Sequence, residues 1–119
     1  MQTQLQTTTP AHERTAEQQR AAERVESMRA SIDRIDEMLV SLIGERQRLA
    51  RAVGAAKRSA GMAPVDTTRE HDVIERIVNH ASDHGVSENE ARVLADQLIR
   101  LARTTQGLPT VHRRDAAAA

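Results

Sequence analysis

Four polar side chains fall at positions that the apolar pattern of this chain assigns to the protein interior. Arg46 and Lys57 continue the three-four spacing of the apolar residues along the first helical stretch, so both cations face its apolar side. Glu70 and Gln106 stand three to seven residues from apolar side chains of two later stretches. Because a buried charge without a partner is costly, this pattern indicates groups that act on something.

The simplest interpretation of these four residues is that each reaches water. Glu70 and Gln106 would then lie at helix ends, and Arg46 and Lys57 would extend past their neighbours into solvent. That interpretation suffices for one residue, but for four residues on three helical stretches we favour a polar pocket inside a helical bundle. Its charges are mostly positive, so we expect its ligand to be a small anion, such as a carboxylate compound held by arginine forks.

A long first helix must position two of these side chains. Apolar residues recur every three or four positions from residue 25 to residue 56, which predicts one helix of about eight turns. Gly61 and Pro64 then end it. A stripe of that length is suited to pairing with another long helix.

Two shorter helices follow the long one. Asp66 is a candidate N-cap for a second helix that stops at Gly85, and residues 87–90, Ser-Glu-Asn-Glu, form a capping-box sequence that opens a third. No segment shows the alternation of a strand. The sequence therefore predicts an all-α chain of three helices, of which the N-terminal one is long.

The chain divides into a polar N-terminal arm over residues 1–24, a helical domain over 25–108 and a flexible C-terminal tail over 109–119. The last part of the arm can extend the first helix. The arm lacks the apolar core of a signal peptide, and no stretch approaches transmembrane length. We therefore expect a cytoplasmic protein that does not associate with membranes.

Composition points to burial between chains. Phe, Tyr and Trp are absent, so aliphatic side chains alone must form the core, and a lone chain of this size would be thinly cored. Cysteine is absent as well, which excludes disulfides, thiolate nucleophiles and cysteine-ligated zinc. The 17 basic residues balance the 17 acidic ones, so no net charge attracts nucleic acid.

Burial between chains predicts a dimer, and the position of Arg29 indicates how its two chains would pair. Arg29 lies 28 residues before Lys57, so on a straight helix the two are about 42 Å apart and cannot contact one small ligand. If Arg29 serves the pocket, it must serve the pocket of a partner chain. An antiparallel pairing of two long helices would bring it there.

Several motifs in this order resemble the all-helical, or AroQ-type, chorismate mutase domain. They are the run Met-Arg-Ala-Ser-Ile-Asp-Arg-Ile-Asp over residues 28–36, Glu-Arg at 45–46, Val-Gly-Ala-Ala-Lys at 53–57, Val-Asp-Thr-Thr-Arg-Glu at 65–70, and Gln106. The resemblance covers roughly residues 25–107. Each piece alone is weakly specific, whereas the combined order and spacing is specific.

The resemblance implies an entwined homodimer with two active sites that convert chorismate to prephenate, a step of aromatic amino-acid biosynthesis in the shikimate pathway. By family roles, Arg46 and the Arg29 of the other protomer hold the two carboxylates of the substrate, and Arg69 supports that carboxylate site. Glu70, with the backbone at Asp66, holds the ring hydroxyl.

The reaction that the resemblance implies is an intramolecular rearrangement without a nucleophile or a proton transfer. Lys57 and Gln106 would donate hydrogen bonds to the ether oxygen whose bond breaks, and two arginine forks would select the compact conformer of the substrate. We therefore expect no metal and no cofactor. Two residues depart from the family: Ala102 stands where a serine is common, and Arg103 where an apolar residue is expected.

The departure at Ala102 bears on efficiency, since one neutral hydrogen bond is worth about 0.5 to 1.5 kcal/mol. A stimulating enzyme of the same pathway is therefore a further possible partner. An isochorismate pyruvate lyase, which shares the scaffold, and a non-catalytic helical dimerisation module are the alternatives. His80 and His84 have a spacing that can hold zinc on a helix, but a solvated pair is the simpler interpretation.

Overall fold

Three α-helices form the described part of this protein. The structure, a computed structural model, describes residues 13–110. In that range helix α1 spans Ala16–Ala60, α2 spans Thr67–Ser82 and α3 spans Glu88–Thr105, and there is no strand. The predicted all-α class with one long N-terminal helix is confirmed. None of these three helices is long and apolar enough to span a bilayer.

Helix α1 begins nine residues before the apolar stripe does. Thr15 and Gln18 form a reciprocal cap: the Thr15 hydroxyl accepts from the Gln18 amide at 3.1 Å, and the Gln18 side chain accepts from the Thr15 amide at 3.0 Å. The predicted polar arm of residues 1–24 is therefore helical from residue 16 onward. Its first twelve residues, and residues 111–119 of the predicted tail, lie outside the described range.

The ends of the helices follow the caps that the sequence predicted. Asp66 caps α2, with its carboxylate accepting from the Arg69 amide at 2.9 Å. Gly61 and Gly85 have φ angles of 67° and 73°, left-handed conformations that allow the chain to reverse after α1 and α2. After α2, the amide of Val86 donates to the Ala81 carbonyl at 3.1 Å, which satisfies a free helix-end acceptor.

The chain separates into two compact units, one up to Leu42 and one from Ile43 onward. In its described part, the first unit consists of the N-terminal section of α1. Its apolar stripe is between 40% and 65% exposed at Val25, Met28, Ile32, Ile35, Leu39 and Leu42. A stripe of this kind is stable in water only when another surface covers it.

The second unit holds the remainder of α1 together with α2 and α3. Its core is thin, as the composition predicted. The buried apolar side chains of the described residues are Ala91, Ala95 and Ile99, all on α3, and Gly54 is buried on α1. Two of these three side chains are single methyl groups, so packing supplies little of the stability that larger cores provide.

Polar side chains fasten α3 to α1 within the second unit. Arg46 donates to the Leu98 carbonyl at 3.0 Å, and Gln106 donates to the Ala50 carbonyl at 3.0 Å. Each bond satisfies a helix carbonyl with a side chain of the other helix. These contacts determine the register in which α3 lies along α1, since both ends of the contact are held.

The N-terminus of α3 is held by a complete capping box. Ser87 accepts from the Glu90 amide, and Glu90 in turn accepts from the backbone amide and hydroxyl of Ser87 at 3.1 and 2.9 Å. These hydrogen bonds lower the pKa of Glu90 from its usual value of 4.5. Because folding favours the ionised form, this contribution to stability is present at neutral pH and is lost as the pH falls below about 4.5.

We expect Ser87→Ala to lower the free energy of unfolding by about 1 kcal/mol at pH 7, because α3 loses its N-cap. The difference from the wild type should narrow as the pH falls below about 4.5, because protonation of Glu90 weakens the same capping box. Urea unfolding followed by circular dichroism at equal protein concentration measures both values. Ser59→Ala, at an exposed position near the end of α1, is the control and should lose no stability. An equal loss in both variants would contradict the role of the cap.

Candidate active site

A cavity of about 300 Å³ lies among the three helices of the second unit. Apolar side chains of α1, α2 and α3 form much of its wall, and Leu108 beyond α3 contributes as well. Its charged and amide-bearing lining residues are Arg46, Lys57, Asp66, Arg69, Glu70, Arg103 and Gln106. The fold therefore brings together six of the seven site residues predicted from the sequence.

Arg29, the seventh predicted residue, does not line this cavity. It lies in the first unit, where its guanidinium pairs with Glu26 at 3.1 Å, one turn earlier on α1. Both side chains are about 70% exposed, and pairs of this kind contribute little stability. The guanidinium of Arg29 is therefore largely exposed, and its one ion pair holds it only weakly.

Lys57 and Gln106 lie side by side in the cavity wall. The Lys57 ammonium donates to the Pro64 carbonyl at 2.9 Å and to the Gln106 side-chain oxygen at 3.5 Å, while the Gln106 amide nitrogen donates to Ala50. The opposite amide orientation would place NH₂ against an ammonium, so the network defines which way Gln106 points. Each donor group keeps one N–H that these contacts do not use.

Gly54 leaves room for the Gln106 side chain, and no role for this glycine was predicted from the sequence. A Cβ atom built on Gly54 would lie 3.0 Å from Cγ and 3.5 Å from Cβ and Cδ of Gln106. The Gln106 side chain thus rests directly on the backbone of α1. A glycine inside a helix costs about 1 kcal/mol relative to alanine. Its presence within α1 was therefore the sequence signal that another group lies close to the helix backbone at this position.

Arg46 and Arg69 bring two positive charges close together. Burial lowers the pKa of Arg46, and the neighbouring charge of Arg69 lowers it further. Arg46 uses one donor on the Leu98 carbonyl, and within residues 13–110 the Arg69 guanidinium makes no hydrogen bond or ion pair. Two like charges raise each other's free energy until an anion binds between them, so this end of the cavity favours an anion.

The two acidic residues of the cavity have partners of their own. The Asp66 carboxylate caps α2, as described above, and Glu70 forms a two-point ion pair with Arg103 in which both N···O distances are 2.7 Å. The hydrogen bonds that Arg103 donates to Glu70 raise the pKa of Arg103. Arg46, Lys57 and Arg69 therefore carry positive charge that no carboxylate in the described cavity wall pairs with.

The two departures from the family pattern both fall on the cavity. Ala102 lines it with a methyl group, so a hydrogen bond from this position is absent. Arg103 stands where an apolar residue is expected, but its charge is paired, because its guanidinium donates hydrogen bonds to Glu70 and to the Pro109 carbonyl. The sequence identified Arg103 as unusual, but only the fold pairs it with a residue 33 positions earlier.

This arrangement can bind a compact dianion that carries an apolar ring. Unpaired cations stand at one end, Lys57 and Gln106 present hydrogen-bond donors, and aliphatic side chains such as Val53 and Ile99 supply apolar surface. The lining residues of the described cavity include no serine, threonine or histidine. Such a site can hold a conformer and stabilise developing negative charge.

The histidine pair lies apart from the cavity. His80 lies near the exposed end of α2 and His84 in the turn after it, with ring centroids 4.6 Å apart, and neither lines the cavity. Within the described residues 13–110, no group of three histidine or carboxylate side chains is placed to hold a metal ion. We keep the interpretation of a solvated pair.

Comparison with known proteins connects this geometry to a family. Residues 28–107 match the family model of chorismate mutase type II. The chain is 36% identical over 67 residues to a chorismate mutase of Methanocaldococcus jannaschii. The matched region covers 56% of this chain and 68% of that relative. It is also 36% identical over 73 residues to a bifunctional chorismate mutase/prephenate dehydratase of Aquifex aeolicus, covering 60% of this chain but 20% of that relative.

We expect Gly54→Ala to displace the Gln106 side chain while the free energy of unfolding changes little. The added methyl group collides with a pinned side chain, and the gain in helix propensity of about 1 kcal/mol offsets much of that strain. The side-chain amide resonance of Gln106 in a ¹⁵N–¹H spectrum reports the displacement, and urea unfolding reports stability. Gly44→Ala is the control, because its Cβ would meet only Arg48 at 3.9 Å. An unmoved Gln106 resonance in Gly54→Ala would contradict the close contact.

Proposed function

Because the chain belongs to the type II chorismate mutase family of isomerases, we propose that its cavity converts chorismate to prephenate by conformer selection and electrostatic stabilisation of the breaking ether oxygen. The observation that carries this mechanism is the adjacency of the Lys57 ammonium and the Gln106 amide beside unpaired arginines. The product is the precursor of aromatic amino acids, as the resemblance implied.

The first task of the site is to bind the substrate in a folded conformation. Chorismate carries two carboxylates, and the Arg46 end of the cavity has positive charge to bind one of them. Arg69 supports this carboxylate site, and the Arg29 of the partner subunit holds the second carboxylate. Two fixed carboxylates restrict the substrate to the compact form in which the new carbon–carbon bond can form.

The second task is to stabilise charge at the ether oxygen as its bond to the ring breaks. The remaining N–H of Lys57 and that of Gln106 are the donors for this oxygen. Lys57 is held by Pro64 and Gln106 by Ala50, so neither donor has to reorganise when the charge develops. An amide donates at every pH, so the contribution of Gln106 does not depend on a protonation state.

The ring hydroxyl of the substrate has an acceptor in Glu70. The carboxylate lies in the cavity wall near the N-terminus of α2, and the backbone at Asp66 stands one turn before it. A hydrogen bond to this hydroxyl orients the ring relative to Lys57 and Gln106. The mechanism involves no metal or cofactor, because each step is a binding or hydrogen-bonding event supplied by the chain.

The active form that we propose is an entwined homodimer. The exposed apolar stripe of α1 in the first unit requires a covering surface, and a second copy of the same stripe supplies one. The pairing also delivers Arg29, which cannot reach its own pocket if α1 stays straight. Both the thin core and the unassigned cation are then explained by one assembly.

Two further predictions remain part of this proposal. Ala102 supplies no hydrogen bond to the substrate, so a modestly active protein stimulated by another enzyme of the shikimate pathway is consistent with the cavity. The relative from Aquifex aeolicus joins a chorismate mutase to a prephenate dehydratase in one protein. A cytoplasmic location stays a prediction from the sequence.

We expect the pure protein to convert chorismate to prephenate and Lys57→Ala to lower the rate about 100-fold to 1,000-fold, the usual loss for one preorganised donor. Product analysis by mass spectrometry and loss of chorismate absorbance measure both. Arg58→Gln, the exposed neighbour outside the cavity, is the matched control and should retain the wild-type rate. Pyruvate release from isochorismate without prephenate formation would favour the lyase, and no turnover of either compound by the folded protein would favour the non-catalytic module.

We expect a mixture of inactive Arg29→Ala and Lys57→Ala chains to regain activity. In a mixed dimer one site receives both mutations and the other receives neither, so random exchange of equal amounts restores about a quarter of the wild-type sites. Activity is measured after partial unfolding and refolding together, with heterodimers quantified by native mass spectrometry. Heterodimers without activity would remove the assignment of Arg29 to the partner site.

A further inference from the structure

The ion pair between Glu70 and Arg103 is a two-point contact between two helices. Nε of Arg103 donates to one carboxylate oxygen of Glu70 and Nη2 donates to the other, both at 2.7 Å. The pair joins α3 to α2, and the two side chains are only 18% and 25% exposed. By contrast, Arg92 and Glu88 form a pair within one helix, with side chains 47% and 64% exposed.

The Arg103 guanidinium is itself held in place. Nη1 donates to the Pro109 carbonyl at 2.9 Å, so all three of its nitrogens make hydrogen bonds. The amide of Leu108 donates to the Arg103 carbonyl at 2.8 Å, which fastens the turn after α3 to the same residue. A planar fork held at a third point leaves the Glu70 carboxylate one orientation.

The fork leaves Glu70 able to accept a further hydrogen bond. It uses one acceptor site on each carboxylate oxygen, and each oxygen retains another. Glu70 also lines the cavity, so a ligand bound there would lie beside its carboxylate. An unconstrained glutamate would rotate among several rotamers and would have to be ordered when the ligand binds.

We propose that Arg103 is a positioning residue, whose fork holds the Glu70 carboxylate in the orientation that accepts the ring hydroxyl of the substrate. This inference rests on the proposed function, because it assigns Arg103 a task in the same reaction. The residue acts through Glu70 and does not contact the reacting atoms. Arg103, an unusual charge in the cavity wall, thereby helps to determine how the ring of the substrate is oriented.

The test is a double-mutant cycle on kcat/KM for chorismate. Arg103→Gln should lower kcat/KM by about 10-fold to 100-fold, since a misplaced acceptor orients the ring poorly. In the Glu70→Ala background the same change should lower it by less than about twofold, because nothing remains to be positioned. Arg103→Lys keeps the charge with a single-point contact and should recover part of the loss.

Arg92→Gln serves as the matched control. It breaks an ion pair on the same helix outside the cavity and should leave kcat/KM unchanged. Thermal unfolding of each variant establishes that it is folded. If Arg103→Gln does not fold, the same cycle is measured with Arg103→Lys, which retains a cation opposite Glu70.

The outcomes separate this inference from the proposed function. Equal losses from the Arg103 substitution with and without Glu70 would overturn the positioning role, as would near-wild-type kcat/KM in both Arg103 variants. Wild-type protein that leaves chorismate unchanged would instead remove the function on which the inference rests. An active wild type with a strongly non-additive cycle supports both.

Discussion

The contact of the Gln106 side chain with the backbone of α1 at Gly54 is the constraint on which the candidate site depends. A Cβ on residue 54 would lie 3.0 Å from Cγ of Gln106, so a larger residue there would require the Gln106 side chain to shift. The Gln106 side chain also donates to Ala50 and accepts from Lys57. The close approach at Gly54 and these two hydrogen bonds together hold the amide beside the Lys57 ammonium.

Charge balance explains why this cavity suits an anionic ligand. Its carboxylates are committed to a helix cap and to Arg103, whereas Arg46, Lys57 and Arg69 retain positive charge without an acidic partner in the described wall. Arg46 and Lys57 are partly buried, which raises the free energy of their charges in the absence of a ligand. A dicarboxylate relieves that cost, so the chemistry of the ligand follows from the electrostatics of the unliganded site.

Neither unit of the chain buries many large apolar side chains among its described residues. In the second unit, two of the three buried side chains of α3 are single methyl groups, and polar side-chain contacts join α3 to α1. In the first unit, the apolar stripe of α1 has no covering element among the described residues. The homodimer that we propose would relate these two facts to the site, because the exposed stripe lies on the same section of α1 as Arg29.

Local patterns were sufficient to predict the helices, since caps act over a few positions: Asp66 and Ser87 stand directly before α2 and α3. Gly85, the predicted stop of α2, lies in the turn after it, because the helix ends at Ser82. Local patterns also identified the inward polar residues, because helical periodicity alone assigns a face. The early start of α1 was not located at Thr15, because the apolar stripe begins later than the cap. The pairing of Arg103 with Glu70 and the contact under Gln106 join residues 33 or more positions apart. Only the tertiary structure decided those contacts, because the distance between two helices depends on every side chain that separates them.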